Sequence, residues 1–161
     1  MENTGAVYLS RDRLVELEKE LLDLKTNQRK SIAERIAEAR SQGDLSENAE
    51  YDAAKEEQGN LELKIAKLEN VLSRVVIVNA EDIPDDETRI LSKVMVKDKS
   101  LREKITYTLV SPEEADFDND KISVTSPVGK ALLNKKVGDI VIVEVPAGKI
   151  EYEILEISKS I

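Results

Sequence analysis

Asp44 and Glu47 stand three residues apart within Gly43-Asp44-Leu45-Ser46-Glu47-Asn48. Two carboxylates one helical turn apart can supply part of the oxygen shell of a hard cation such as Mg2+. The same spacing fits a capping box that starts a helix, with Asp44 at the N-cap and Glu47 at N3. Both side chains would then also sit at the positive end of the helix dipole. Spacing alone leaves the two readings open. The chain has no His and no Cys, which removes the commonest general base and zinc ligand, as well as thiolate metal sites and disulfides. Any metal must therefore be held by oxygen, and any catalysis by carboxylates, Lys, Tyr or hydroxyls. Two ligands are too few for a tight independent site, so the metal reading requires a partner that brings further carboxylates or phosphates.

The elements that would position this pair show in the apolar pattern on either side. Leu14, Leu17, Leu21 and Leu24 recur at the three-and-four spacing of a coiled coil, and the stripe continues through Gln28, Ile32 and Ile36 at spacings of four. Beyond the acidic stretch run Ala54, Gln58, Leu61, Ile65, Leu68, Leu72 and Val75. Paired antiparallel, Leu14 meets Val75, Leu17 meets Leu72, Leu21 meets Leu68, Leu24 meets Ile65 and Gln28 meets Leu61. In each of these pairs the residue numbers add to 89, and for Ile32 with Gln58 and Ile36 with Ala54 they add to 90. The pattern predicts a helical hairpin over residues 1–78, its turn at 43–48 and Gly43 as the positive-φ exit from the first helix. Arms of about 30 residues would project on the order of 45 Å.

Charge is uneven along this hairpin. Lys25, Arg29, Lys30, Arg35 and Arg40 oppose only Glu34 and Glu38 on one arm. On the other, Asp44, Glu47, Glu50, Asp52, Glu56 and Glu57 oppose only Lys55. Complementary arms bridging one another explain this, and so does a basic surface at Arg40 and Lys55 that steers a nucleic-acid end toward the acidic tip. The whole chain, 161 residues at a net charge of −9, does not suit gripping nucleic acid by phosphate neutralisation alone. Aromatics at 3% leave few stacking platforms. No stretch approaches the ~18 apolar residues of a membrane span, and Met-Glu-Asn-Thr lacks the basic and apolar regions of a signal peptide. A soluble, cytoplasmic, monomeric protein is expected.

Residues 79–161 carry a different pattern. Val94 and Val96, then Ile105, Tyr107 and Leu109, then Val141, Val143 and Val145, then Ile150, Tyr152 and Ile154 alternate as strands do. Pro146-Ala147-Gly148-Lys149 reads as the hairpin joining the last two runs. Pro127 to Leu133 reads as a short helix opened by its proline. Mostly antiparallel strands with one short helix make this an α+β domain.

Two stretches resemble a known family. Ala37-Glu38-Ala39-Arg40 with Gly43-Asp44-Leu45-Ser46-Glu47-Asn48-Ala49-Glu50-Tyr51 closely resembles the tip signature of the Gre transcript-cleavage factors, a family of transcription elongation factors, in its GreA-type form. Ser123-Val124-Thr125-Ser126-Pro127-Val128-Gly129-Lys130-Ala131-Leu132-Leu133, ending at Gly138-Asp139, resembles that family's C-terminal signature, and Ala115-Asp116-Phe117 fits it too. The resemblance spans essentially the whole chain. It implies an FKBP-like second domain without prolyl isomerase activity, docking on bacterial RNA polymerase through Ser123, Ser126 and Pro127. It further implies that the hairpin enters the secondary channel and reaches the 3′ end of backtracked nascent RNA. Asp44 and Glu47 match the family's two acidic tip residues, which share Mg2+ with the polymerase active site and stimulate its own endonucleolytic cleavage. No cofactor and no nuclease activity are then expected of the isolated chain. The alternative is a channel-binding inhibitor that does not stimulate cleavage.

Overall fold

The computed structural model of the chain describes residues 5–43 and 48–161. They form two compact units, Asp12–Arg74 and Val75–Ile161, the second completed by the chain up to Arg11. The division thus falls on either side of the helices rather than at one point after Val78.

In the helical unit, α1 (Arg11–Asp23) passes through a π-helical turn (Leu24–Gln28) into α2 (Arg29–Ser41), and α3 (Ala49–Ser73) returns. Leu24, Ile32 and Ile36 pack with Ala54, Leu61 and Ile65, flanked by Leu21, Tyr51 and Leu68. Ion pairs tie the arms along their length: Lys25 to Glu69 at 3.7 Å, Arg29 to Glu62 at 2.7 Å, and Arg35 to Glu57. The expected antiparallel pairing is therefore present, with two corrections. Gln28 is exposed rather than facing Leu61, and its amide donates to Asp23 instead. Val75 lies outside the helix, which ends at Ser73.

The π turn accounts for the first correction. It inserts one residue into the helical count, so the core steps from Leu24 to Ile32 and passes over Gln28. The shift of the pair sums from 89 to 90 is this extra residue. Removing Asn27 should restore an ordinary α-helical count while keeping both Leu24 and Ile32 inward. Helicity by circular dichroism and the thermal midpoint are expected to hold or rise. Removing Glu34 from the α-helical stretch should instead rotate Ile36 and Ala39 out of the seam and cost about 2 kcal/mol or more.

In the other unit, β1 (Val7–Leu9) pairs in parallel with β2 (Val75–Ile77), setting Val7 beside Val75. Strands β3 (Ser92–Asp98), β4 (Glu103–Val110), β5 (Lys121–Ser123), β6 (Ile140–Val145) and β7 (Gly148–Lys159) form a sheet in the order β5-β4-β3-β7-β6. All its neighbours are antiparallel except β4 and β5. The sheet is thus mostly antiparallel, as expected. Alternation sends Val94, Val96, Val141, Val143 and Ile154 to one face, where helix α4 (Pro127–Leu132) lays Leu132 against them. Tyr107 and Tyr152 meet edge to face at 6.2 Å, their hydroxyls 3.3 Å apart. Burial, more than that hydrogen bond, pushes the Tyr107 phenol well above its usual value.

Candidate functional site

The described residues close on the hairpin end from both sides. Helix α2 stops at Ser41, Gln42 caps it, and Gly43 turns away at φ +126°, a conformation open chiefly to glycine. Asp44, Leu45, Ser46 and Glu47 lie outside the described residues. The chain resumes at Asn48, which is the N-cap of α3. Its Oδ1 accepts from the Tyr51 backbone N–H at 3.1 Å, and its Nδ2 donates to the Ala39 carbonyl at 2.7 Å. One side chain thus satisfies an orphan donor of the outgoing helix and a terminal carbonyl of the incoming one.

The N-cap of α3, which begins at Ala49, is therefore Asn48 rather than Asp44, while the expected capping box of Asp44 and Glu47 lies outside the described residues. Asn48→Ala should cost about 1 kcal/mol, with hydrogen exchange accelerating at the amides of Tyr51 and Asp52. Asn48→Ser keeps a good cap but loses the link to Ala39. Its exchange should accelerate mainly in the last turn of α2.

Next to this clamp the Arg40 guanidinium sits 5.7 Å from the centre of the Tyr51 ring, a cation–π contact between the arms. Lys55 is exposed and its ammonium donates to Gln58 at 2.8 Å. Three of the five expected basic residues, Lys25, Arg29 and Arg35, are taken up in the ion pairs across the hairpin. The hydrogen bond from Arg29 holds the Glu62 carboxyl below its usual value. Most of the basic cluster is therefore one half of complementary arms, and Arg40 and Lys55 are the two expected residues turned outward near the tip.

In the sheet unit, the Ser126 hydroxyl donates to the Ser123 carbonyl and accepts from the Gly129 N–H, capping α4. The Ser123 hydroxyl bonds that of Thr125 at 2.7 Å and accepts from its backbone N–H. Both serines are thus held inside a turn that presents Thr125 and Pro127 to solvent. Gly129 is required here. A Cβ at this position would lie 1.8 Å from the Ser123 carbonyl oxygen.

A family model for the N-terminal part of transcription elongation factors matches residues 7–77, and one for the C-terminal part of GreA/GreB transcription elongation factors matches residues 83–159. The chain belongs to the GreA/GreB family. It is 53% identical over 151 residues to a transcription elongation factor GreA of Amoebophilus asiaticus, covering 94% of this chain and 96% of that one. To the GreA of Thermoanaerobacter pseudethanolicus it is 52% identical over 153 residues, covering 95% and 98%. Among solved structures it is similar to GreA factor homolog 1 of Thermus thermophilus, at 30% identity over 95% of this chain and 99% of that one, with a TM-score of 0.45.

Within this GreA/GreB-family chain the expected site residues fall into two groups. Arg40 and Lys55 flank the tip in the helical unit, and Ser123, Ser126 and Pro127 share one turn in the sheet unit. Asn48 is the residue whose part sequence reasoning missed. Asn48 follows the acidic pair directly and is itself a strong cap former. Phe117, the single Phe of the chain, is 91% exposed. Among the described residues no group of three or more acidic side chains could hold a metal ion, and no helix is long and apolar enough to cross a membrane.

Proposed function

We propose that this GreA-type elongation factor presents Asp44 and Glu47 to the active site of a backtracked bacterial RNA polymerase, and so stimulates the polymerase's own cleavage of the extruded 3′ end. The observation that carries this reading is the cap on α3. With Asn48 as its N-cap, α3 does not require either carboxylate to start it. Their chemistry suits a shared ion, being two hard oxygen donors in a chain without His or Cys. They would hold part of a Mg2+ shell whose other positions come from polymerase and RNA. When bound, that ion stabilises negative charge on the attacking and leaving oxygens.

The chain's own contribution is placement. The two-armed helix carries the pair, Asn48 joins its ends, and Arg40 and Lys55 draw the RNA phosphates toward the tip. Thr125, Pro127 and the serine-held turn dock the sheet unit, whose mostly antiparallel sheet with one short helix we assign to an FKBP-like fold. The chain itself is an accessory factor, and the hydrolytic site belongs to polymerase. In a magnesium-containing backtracked complex, the Arg40→Glu, Lys55→Glu double variant should crosslink less to the extruded RNA than wild type. Unchanged crosslinking would remove Arg40 and Lys55 from the site. A wild-type protein that blocks elongation without releasing fragments would favour the inhibitor reading instead.

A further inference from the structure

Phe117 is the most exposed large hydrophobic side chain among the described residues. A phenylalanine is among the residues most often buried, yet this one is 91% exposed on a short 3-10 turn, Phe117–Asn119. The turn is not loose. Asp116 and Lys121 exchange both backbone hydrogen bonds at 2.9 Å, and the Asn119 amide donates to the Asp116 carboxylate at 2.7 Å. The Asp120 N–H returns to the Phe117 carbonyl, while Asp120 takes a left-handed φ of 53° and its carbonyl accepts from Thr108 of β4. The ring is therefore held out on a closed, pre-formed loop, and binding through it would require little ordering. Strand β5, leading from this loop to the Ser123–Pro127 turn, is an edge of the sheet.

The surroundings indicate what the ring would meet. Glu113, Glu114, Asp116, Asp118 and Asp120 crowd the same stretch, and Lys121 is the only basic side chain between Glu113 and Gly129. An aromatic set among carboxylates repels phosphates and anionic lipid surfaces. It complements a protein surface of the opposite sign, where an aromatic anchor fills a pocket and charged groups around it set the encounter rate.

We propose that Phe117 is the apolar anchor by which the sheet unit docks on its partner, entering a protein cleft with an apolar floor and a rim of lysine and arginine. This rests on the elongation-factor reading, in which that partner is RNA polymerase.

The test is a binding titration of the full-length protein against core RNA polymerase at several salt concentrations. Phe117→Ala should raise the half-saturating concentration about 30-fold, with an unchanged thermal midpoint because the ring packs on little. At saturating protein, fragment release from a backtracked complex should match wild type. Asp118→Lys should slow association and flatten its salt dependence. Wild-type binding with equal binding by Phe117→Ala overturns the anchor and leaves the function standing. A wild type that does not bind polymerase overturns both. A wild-type dimer that Phe117→Ala makes monomeric assigns the face to a second copy and also overturns the proposal.

Discussion

Asp44→Ala and Glu47→Ala should each lower stimulated fragment release by about 10²-fold or more, while leaving the thermal midpoint and polymerase affinity unchanged. The two halves of this expectation come from different observations. The loss in cleavage follows from removing one of two oxygen ligands at a shared ion, where no His or Cys elsewhere in the chain can substitute. The unchanged stability is expected because α3 takes its N-cap from Asn48 and not from Asp44. If Asp44 were the N-cap, its replacement by Ala would cost about 1 kcal/mol and fray the start of α3. Calorimetry alongside the cleavage assay separates the cases. A lowered midpoint with cleavage retained would return the pair to a capping role.

Gly129→Ala should destabilise the sheet unit by about 3 kcal/mol or more. The added carbon would fall 1.8 Å from the Ser123 carbonyl oxygen and 2.7 Å from its carbon, both backbone atoms that cannot swing aside. Either α4 or the turn before it has to move. The Gly129 N–H that Ser126 caps would be displaced, as would buried Leu132 three residues on. Docking on polymerase should weaken with it, since the same turn carries Thr125 and Pro127. Gly59 provides the opposite case within the same chain. It lies in the middle of α3, exposed, with nothing within 4 Å of the added carbon. Gly59→Ala should therefore stabilise the hairpin by up to about 1 kcal/mol. Urea unfolding of both variants checks the pair; Gly129→Ala at wild-type stability would mean that the turn yields freely.

The hairpin could be read from residue spacing because apolar side chains on two antiparallel helices must mirror each other about the turn. Even the π turn left a trace, the one-residue step between Leu61 opposite Gln28 and Gln58 opposite Ile32. What spacing could not show was that Gln28 itself turns outward. Val75 was misplaced for a related reason. It continues the helical period, and only its pairing with Val7, distant in sequence, makes it a strand residue. Strands β1, β2 and β5 are three residues each, too short to establish a period of two. At the tip, Asp44 and Asn48 are both good cap formers. Spacing does not choose between them, and the structure shows Asn48 as the N-cap of α3, with its Nδ2 also donating to the Ala39 carbonyl. The exposure of Phe117 is not legible from its residue type, because hydrophobicity signals the core.

The most direct measurement of the central claim is fragment release from a stalled, backtracked RNA polymerase complex in magnesium, with and without the purified chain. Wild type should accelerate release of short 3′ fragments, the chain without polymerase should cut no RNA, and Asp44→Ala should add nothing over the factor-free rate. No acceleration by wild type, or equal acceleration by Asp44→Ala, would contradict the account.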